Sequence, residues 1–199
     1  QEHILSPRFG ENIIGAIQDH ITGTFLLTNT NPQFNETQAL DLLRATRVDE
    51  LPEPDGTADG EAYWTGRSLF SELLPDDLDL AFEGTVDDVV VEDGQLRQGT
   101  IAEDEVGEFG SEVVDTITKV YGETRARIFI NEVAALAMRA IMHFGFSIGI
   151  DDETVPPEAQ ERIDEAVENA YDRVEELIEI YEAGDMESLP GRSVDETLE

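Results

Sequence analysis

Apolar positions along the chain follow two rhythms. In the second half they recur every three or four residues, which is the helical period. Val113, Val114, Ile117 and Val120 lie on one side of a segment that Ser111 can cap and Gly122 can end. Glu123–Phe144 carries Ile128, Phe129, Val133, Leu136, Ala137, Ala140 and Ile141 at the same spacing, with Gly145 as its stop. His143 falls in its last turn, where the carbonyl end of the helix dipole favours a cation. Pro156-Pro157 then places a proline to open another helix, from Pro157 to about Tyr181, ending before Gly184. Its apolar positions, Ile163, Ala166, Ala170, Val174, Leu177 and Tyr181, form a stripe as narrow as a coiled-coil seam. A seam of that width predicts one partner helix. Only Arg192–Glu199 follow Pro190-Gly191, so the partner is expected beyond Glu199. Ile163, Val174 and Leu177 are expected to be covered by a neighbouring copy or packed back on the domain.

The first half is more broken. Ile13–Ile21 is punctuated by Gly15, with Gly23 just beyond. Asn35-Glu36-Thr37-Gln38 is a capping box that predicts a short helix to about Arg44. Val48–Tyr63 is rich in Pro, Gly and Asp and predicts a loop. Thr65 can cap a second short helix, Gly66–Leu74, that Pro75 stops. Val86–Val91 and Gln95–Ile101 flank Asp93-Gly94, which predicts a hairpin. The fold class read from this is α+β. A mixed strand and short-helix domain, 1–110, precedes a mainly helical one, 111–199, that ends in a long acidic amphipathic helix. No internal repeat is visible.

Composition changes this picture mainly through charge. Forty-six Asp and Glu oppose twelve Lys and Arg, for a formal net charge of −34, and Lys119 is the single lysine. Self-repulsion of that size destabilises a compact state in dilute buffer. At molar salt the screening length falls to about 3 Å and the penalty largely disappears. Hydrophobic residues are still 40 % of the chain, which is enough for a packed core and too many for a disordered acidic tail. Acids spread over every segment therefore point to a cytoplasmic protein of a salt-in halophile. An acidic module that mimics DNA and a calcium-binding protein are the alternatives. The absence of cysteine excludes disulfides, a cysteine nucleophile and a Cys-type zinc site. A broad basic surface for nucleic acid is excluded as well. The longest apolar stretch, Val133–Ile150, is broken by Arg139 and reads as a buried helix running into a loop, with no membrane involved. No signal peptide is visible. Gln1 in place of Met, with mid-fold character soon after it, is expected of a piece excised from a longer chain.

Candidate chemistry is sparse. His3, His20 and His143 lack ligand spacing, so no metal is assigned to them. Asp76, Asp77 and Asp79 resemble part of a calcium loop but lack its glycine and terminal glutamate. Asp151-Asp152-Glu153, ahead of a helix start, read as dipole and surface charge. Gly145-Phe146-Ser147-Ile148-Gly149-Ile150 suggests tight turns but supplies no base or nucleophile. No catalytic residue is assigned.

Several strings resemble the largest subunit of cellular DNA-directed RNA polymerases, in its archaeal A′ form. They are His3-Ile4-Leu5-Ser6-Pro7-Arg8 with Ile13–Gly23, Trp64-Thr65-Gly66-Arg67, Asp93-Gly94-Gln95-Leu96 with Gly99 and Val106-Gly107, Gly145–Asp152, and Leu189-Pro190-Gly191-Arg192. They run in family order over essentially the whole chain. With the acidic composition they suggest a haloarchaeal source. The resemblance implies that 1–110 belong to the pore-side domain and 111–199 to the start of the funnel that rims the secondary channel. It implies that the magnesium-holding loop lies upstream of Gln1, that no cofactor is held by this segment, and that magnesium serves the intact enzyme. The implied partners are the other polymerase subunits, with DNA template, RNA and nucleoside triphosphates in the intact enzyme and a transcript-cleavage factor at the funnel. Ser6, Pro7 and Arg8 are the residues expected nearest substrate. Gln18 and Asp19 match the family motif and are placed near substrate with them, in a buried hydrogen-bonding role and not a catalytic one.

Overall fold

A computed structural model describes residues 3–184, 186–188 and 190–195. Gln1, Leu189 and Thr197-Leu198-Glu199, which figure in the sequence reading, lie outside the described residues. The chain forms two compact units that divide after Phe146. The expected division near residue 110 falls inside the first of them.

In the first unit, α1 (Asp19–Thr28) leads to β1 (Gln33–Phe34) and α2 (Glu36–Leu43). The capping box of α2 forms as its sequence predicts, with Gln38 N donating to Asn35 Oδ1 and Asn35 N donating to Gln38 Oε1, each at 3.0 Å. The segment 48–63 is only partly a loop. It contains β2 (Gly56–Ala58) and most of β3 (Glu61–Thr65), an antiparallel pair. Asp59 and Gly60 between them both have positive φ, the backbone that a two-residue hairpin turn demands. This Asp-Gly signal was hidden by the surrounding Pro, Gly and Asp. β1 joins the other edge, so the first sheet has the order β1-β3-β2.

Thr65 caps α3 (Gly66–Ser71), which ends a turn earlier than predicted. The second sheet, β4 (Leu80–Glu83), β5 (Asp88–Glu92) and β6 (Gln95–Gln98), is antiparallel in sequence order. The predicted hairpin is its β5–β6 half; β4 adds a strand that the pattern did not show. A single turn, α4 (Glu103–Val106), precedes α5 (Glu112–Tyr121) and α6 (Glu123–Phe144).

The core lies where α6 packs on α1, α5 and α2. Phe129, Leu136 and Ala140 of α6, Leu27 of α1, Ile117 of α5 and Phe70 of α3 are fully buried. Phe70 meets Phe129 edge-on, with ring centroids 6.2 Å apart. Gly23 sets the α1–α6 approach: a Cβ there would overlap the backbone carbonyl of Ala137. Helices 111–144 thus complete the core of the α/β part.

The second unit contains a short 3-10 turn (Ile150–Glu153) and α7 (Pro157–Ala183), which Gly184 ends in the left-handed conformation. α7 buries none of its residues. Of the seam residues, Ile163 is 47 % and Val174 52 % exposed, and Leu177 is half-buried. No helix among the described residues is long and apolar enough to cross a membrane.

Candidate functional site

Residues 4–13 fold as a tight loop. Leu5 bridges Asn12, Ile13 N donates to Ile4 O at 2.9 Å, and Ser6 N donates to Glu11 O at 2.8 Å. Ser6 is buried at the base, and its Oγ accepts from Arg8 N at 3.2 Å. Pro7 and Arg8 stand exposed at the tip. Arg8 forms no ion pair among the described residues. The structure therefore groups Ser6, Pro7 and Arg8 in one loop, with the guanidinium facing solvent.

The loop is held by Asn12, which is fully buried. Its Nδ2 donates to Gly107 O at 2.9 Å and Ile14 O at 3.1 Å. Its Oδ1 accepts from Gly110 N at 2.8 Å and Ser111 N at 2.7 Å. Its own N–H donates to Asp115 Oδ1 at 2.6 Å, and Asp115 Oδ2 accepts from Lys119 Nζ at 3.1 Å. This side chain is fully satisfied. Ser111 does not cap α5 with its hydroxyl; its backbone joins the Asn12 network instead.

Gln18 and Asp19 are not buried. Both are exposed at the start of α1, where Gln18 has φ 45° and its carbonyl accepts from Thr22 N. Asp19 sits in the first turn, where the helix dipole favours a carboxylate. The buried polar role assigned to this motif belongs to Asn12, six residues earlier. A lone Asn between Ile4-Leu5 and Ile13-Ile14 was the signal for it.

The acidic motifs serve the backbone. Asp79 Oδ1 accepts from Asp93 N at 2.8 Å, and Asp77 Oδ1 from Tyr121 OH at 2.9 Å. Burial, then the Asp77 hydrogen bond, raises the Tyr121 hydroxyl above its ordinary pKa. Asp152 Oδ2 accepts from Gly149 N at 2.7 Å. Glu105, which the sequence reading passed over, is fully buried; its carboxylate accepts from Thr85 N at 2.9 Å and Ala102 N at 2.6 Å. Among the described residues no group of three or more His, Asp or Glu is arranged to hold a metal. His143 lies edge-on to Phe34, with ring centroids 5.4 Å apart. Glu72 lines a depression with Arg47, Asp76, Arg125 and Glu132. Its carboxyl is raised above the ordinary range, first by burial and second by Asp76.

This arrangement presents Arg8 on a loop whose base is held by the Asn12 network. The family model of RNA polymerase Rpb1, domain 3, matches residues 3–153. The chain belongs to this family. The Rpb1 domain 3 match takes in the loop, the Asn12 network, both sheets and α1–α6, and ends at the 3-10 turn before α7. Over its full length the chain is 78 % identical to DNA-directed RNA polymerase subunit Rpo1N of Halobacterium salinarum, of which it covers 21 %. It is 44 % identical to the Rpo1N subunit of Methanothermobacter thermautotrophicus and 37 % to that of Thermococcus celer, covering 24 % and 26 % of them. The chain thus spans about a fifth to a quarter of the length of these curated relatives. The resemblance read from the sequence motifs is borne out, and a haloarchaeal origin fits the 78 % relative and the acidic composition.

Proposed function

We propose that this chain is part of the wall of the secondary channel in a multisubunit DNA-directed RNA polymerase. Residues 1–110 line the pore side, and residues 111–199 begin the funnel. The match to Rpb1 domain 3 over residues 3–153 carries this reading. The chain's contribution is access and positioning in RNA synthesis, and it does not itself make or break the phosphodiester bond. Magnesium in the intact enzyme supplies the metal chemistry of nucleotidyl transfer. No residue of this chain is assigned to that metal.

Arg8, exposed on a loop whose base is pinned by Ser6 and Asn12, is the side chain presented to triphosphate or nucleic acid. The acidic face of α7 is the rim offered to a transcript-cleavage factor. The other partners are the remaining polymerase subunits, with DNA template and RNA, in the cytoplasm.

A photocrosslinker at position 8 of the assembled polymerase should label nucleotide or transcript. One at position 168 should label the cleavage factor. Labelling of neither, with polymerase activity retained, would sink the channel assignment.

A further inference from the structure

Arg67 and Arg97 come from separate elements of the chain and share one place. Both line a depression of about 160 Å³ with Asn31, Asp55, Ser68 and Gln95. Neither forms an ion pair among the described residues. The one carboxylate in the depression is Asp55, whose Oδ2 accepts from Thr65 N at 2.6 Å; it keeps its negative charge, so the two arginines leave one net positive charge there.

The backbone segments that carry the two arginines are joined by a hydrogen-bonded frame. Ser71 Oγ donates to the carbonyl of Arg67 at 2.7 Å and accepts from the N–H of Leu96, beside Arg97, at 2.9 Å. Asn31 Oδ1 accepts from Arg67 N at 2.9 Å. Arg67 Nε donates to Thr28 O at 3.2 Å, which fixes the stem of the guanidinium and leaves its terminal nitrogens without a protein acceptor among the described residues.

We propose that Arg67 and Arg97 form a clamp for the oxyanion of a phosphate group. At molar salt, attraction beyond about 3 Å is screened, so an anion is held only by groups that hydrogen-bond it at contact distance. The planar arginine fork does this with two parallel N–H donors, and a lysine point charge does not. The phosphate can come from a nucleoside triphosphate or from a nucleic-acid backbone. This inference goes beyond the channel reading and is tested by binding alone, so either can fail without the other.

The test is a titration of the full 199-residue chain in molar KCl, following the arginine Nε–Hε NMR signals. Inorganic phosphate should move the signals of Arg67 and Arg97 and leave the other arginines in place, Arg8 aside, which the channel reading presents to phosphate independently. R97Q should weaken the apparent affinity about tenfold or more, as expected for a lost charge-assisted hydrogen bond. R97K, which keeps the charge but not the fork, should weaken it as well. Arg97 is exposed, so these variants leave the core intact. Parallel titrations with ATP and with a single-stranded oligonucleotide identify the source, as whichever moves the pair at lower concentration. The proposal is overturned if phosphate, ATP and oligonucleotide leave both signals unmoved, or if all arginines shift alike. It is equally overturned if a glutamate-rich peptide moves the pair at lower concentration than any phosphate compound.

Discussion

The backbone N–H of Asn12 donates to Asp115 Oδ1 at 2.6 Å, joining positions 103 residues apart in the chain. Together with the Asn12 side chain this contact ties the arginine loop to the start of α5. Asn12→Ala would leave the N–H of Ser111 and the carbonyl of Gly107 without their buried partner, while Gly110 N–H keeps the backbone carbonyl of residue 12. Each buried orphan costs about 1–3 kcal/mol, so a net loss of about 2 kcal/mol or more is expected. Thermal unfolding in molar KCl measures it. A loss below about 1 kcal/mol would show that water replaces the amide and that the network does not hold the loop.

Asn12→Asp separates the donor half of that side chain from the acceptor half. The carboxylate keeps the contacts from Gly110 and Ser111 but cannot donate to Gly107 O, and it adds a negative charge beside Asp115. Its destabilisation should therefore shrink as pH falls and the new carboxyl protonates. A pH-independent loss equal to that of Asn12→Ala would argue against this division of roles.

Gly23→Ala tests the α1–α6 packing. The added methyl falls on the Ala137 carbonyl, which is helix backbone and cannot swing aside. Overpacking of this kind costs about 1–3 kcal/mol. A melting temperature equal to that of the parent chain would mean that the helices slide apart without penalty, and the close crossing would lose its importance.

Much of this architecture was legible in the chain. The capping boxes at Asn35 and Thr65 and the rhythm of Glu123–Phe144 were enough to place α2, α3 and α6. Each is a local signal that tertiary packing reinforces. What escaped depends on partners far away. α1 has an apolar face diluted by threonines, and β4 exists only as a neighbour of β5. The buried carboxylates Glu105 and Asp115 were invisible for a different reason. In a chain with 46 acids, one that accepts backbone hydrogen bonds in the core has no compositional mark to set it apart from solvated ones. The motif match behind the buried role of Gln18 and Asp19 carries no burial signal of its own, and both residues stand exposed.

Glu72 gives a pH dependence with a definite sign. Its carboxyl is raised in the folded chain by burial and by Asp76, so the folded state binds a proton more tightly than the unfolded state. From the ordinary carboxylate range up to the raised value, the folded chain carries the extra proton, and stability falls as pH rises through that window. At neutral pH the ionised carboxylate is a small liability, because the group is still partly solvated. Glu72→Gln should therefore be slightly stabilising at neutral pH and neutral in acid. Comparing the variant with the parent at each pH removes the general effect of protonating the other acids. A variant destabilised at neutral pH would reverse the sign and point to an unrecognised cationic partner.

Salt should act most strongly on α7, which buries none of its residues. Glu161, Glu165, Glu168, Asp172, Glu175 and Glu179 repeat at three- and four-residue steps, so like charges face one another along its length. Each such pair opposes the helix by about 0.2–0.5 kcal/mol at low ionic strength. The ion pair between Arg173 and Glu176 is exposed and offsets little of this. Circular dichroism should show helical signal rising with KCl toward molar concentrations. Replacing Glu161, Glu165 and Glu168 together by Gln should move the midpoint to lower salt, because it removes repulsion without touching an apolar contact. Full helicity of the parent chain without added salt would show that its carboxylates do not govern folding, and the halophilic reading of the composition would lose its physical basis.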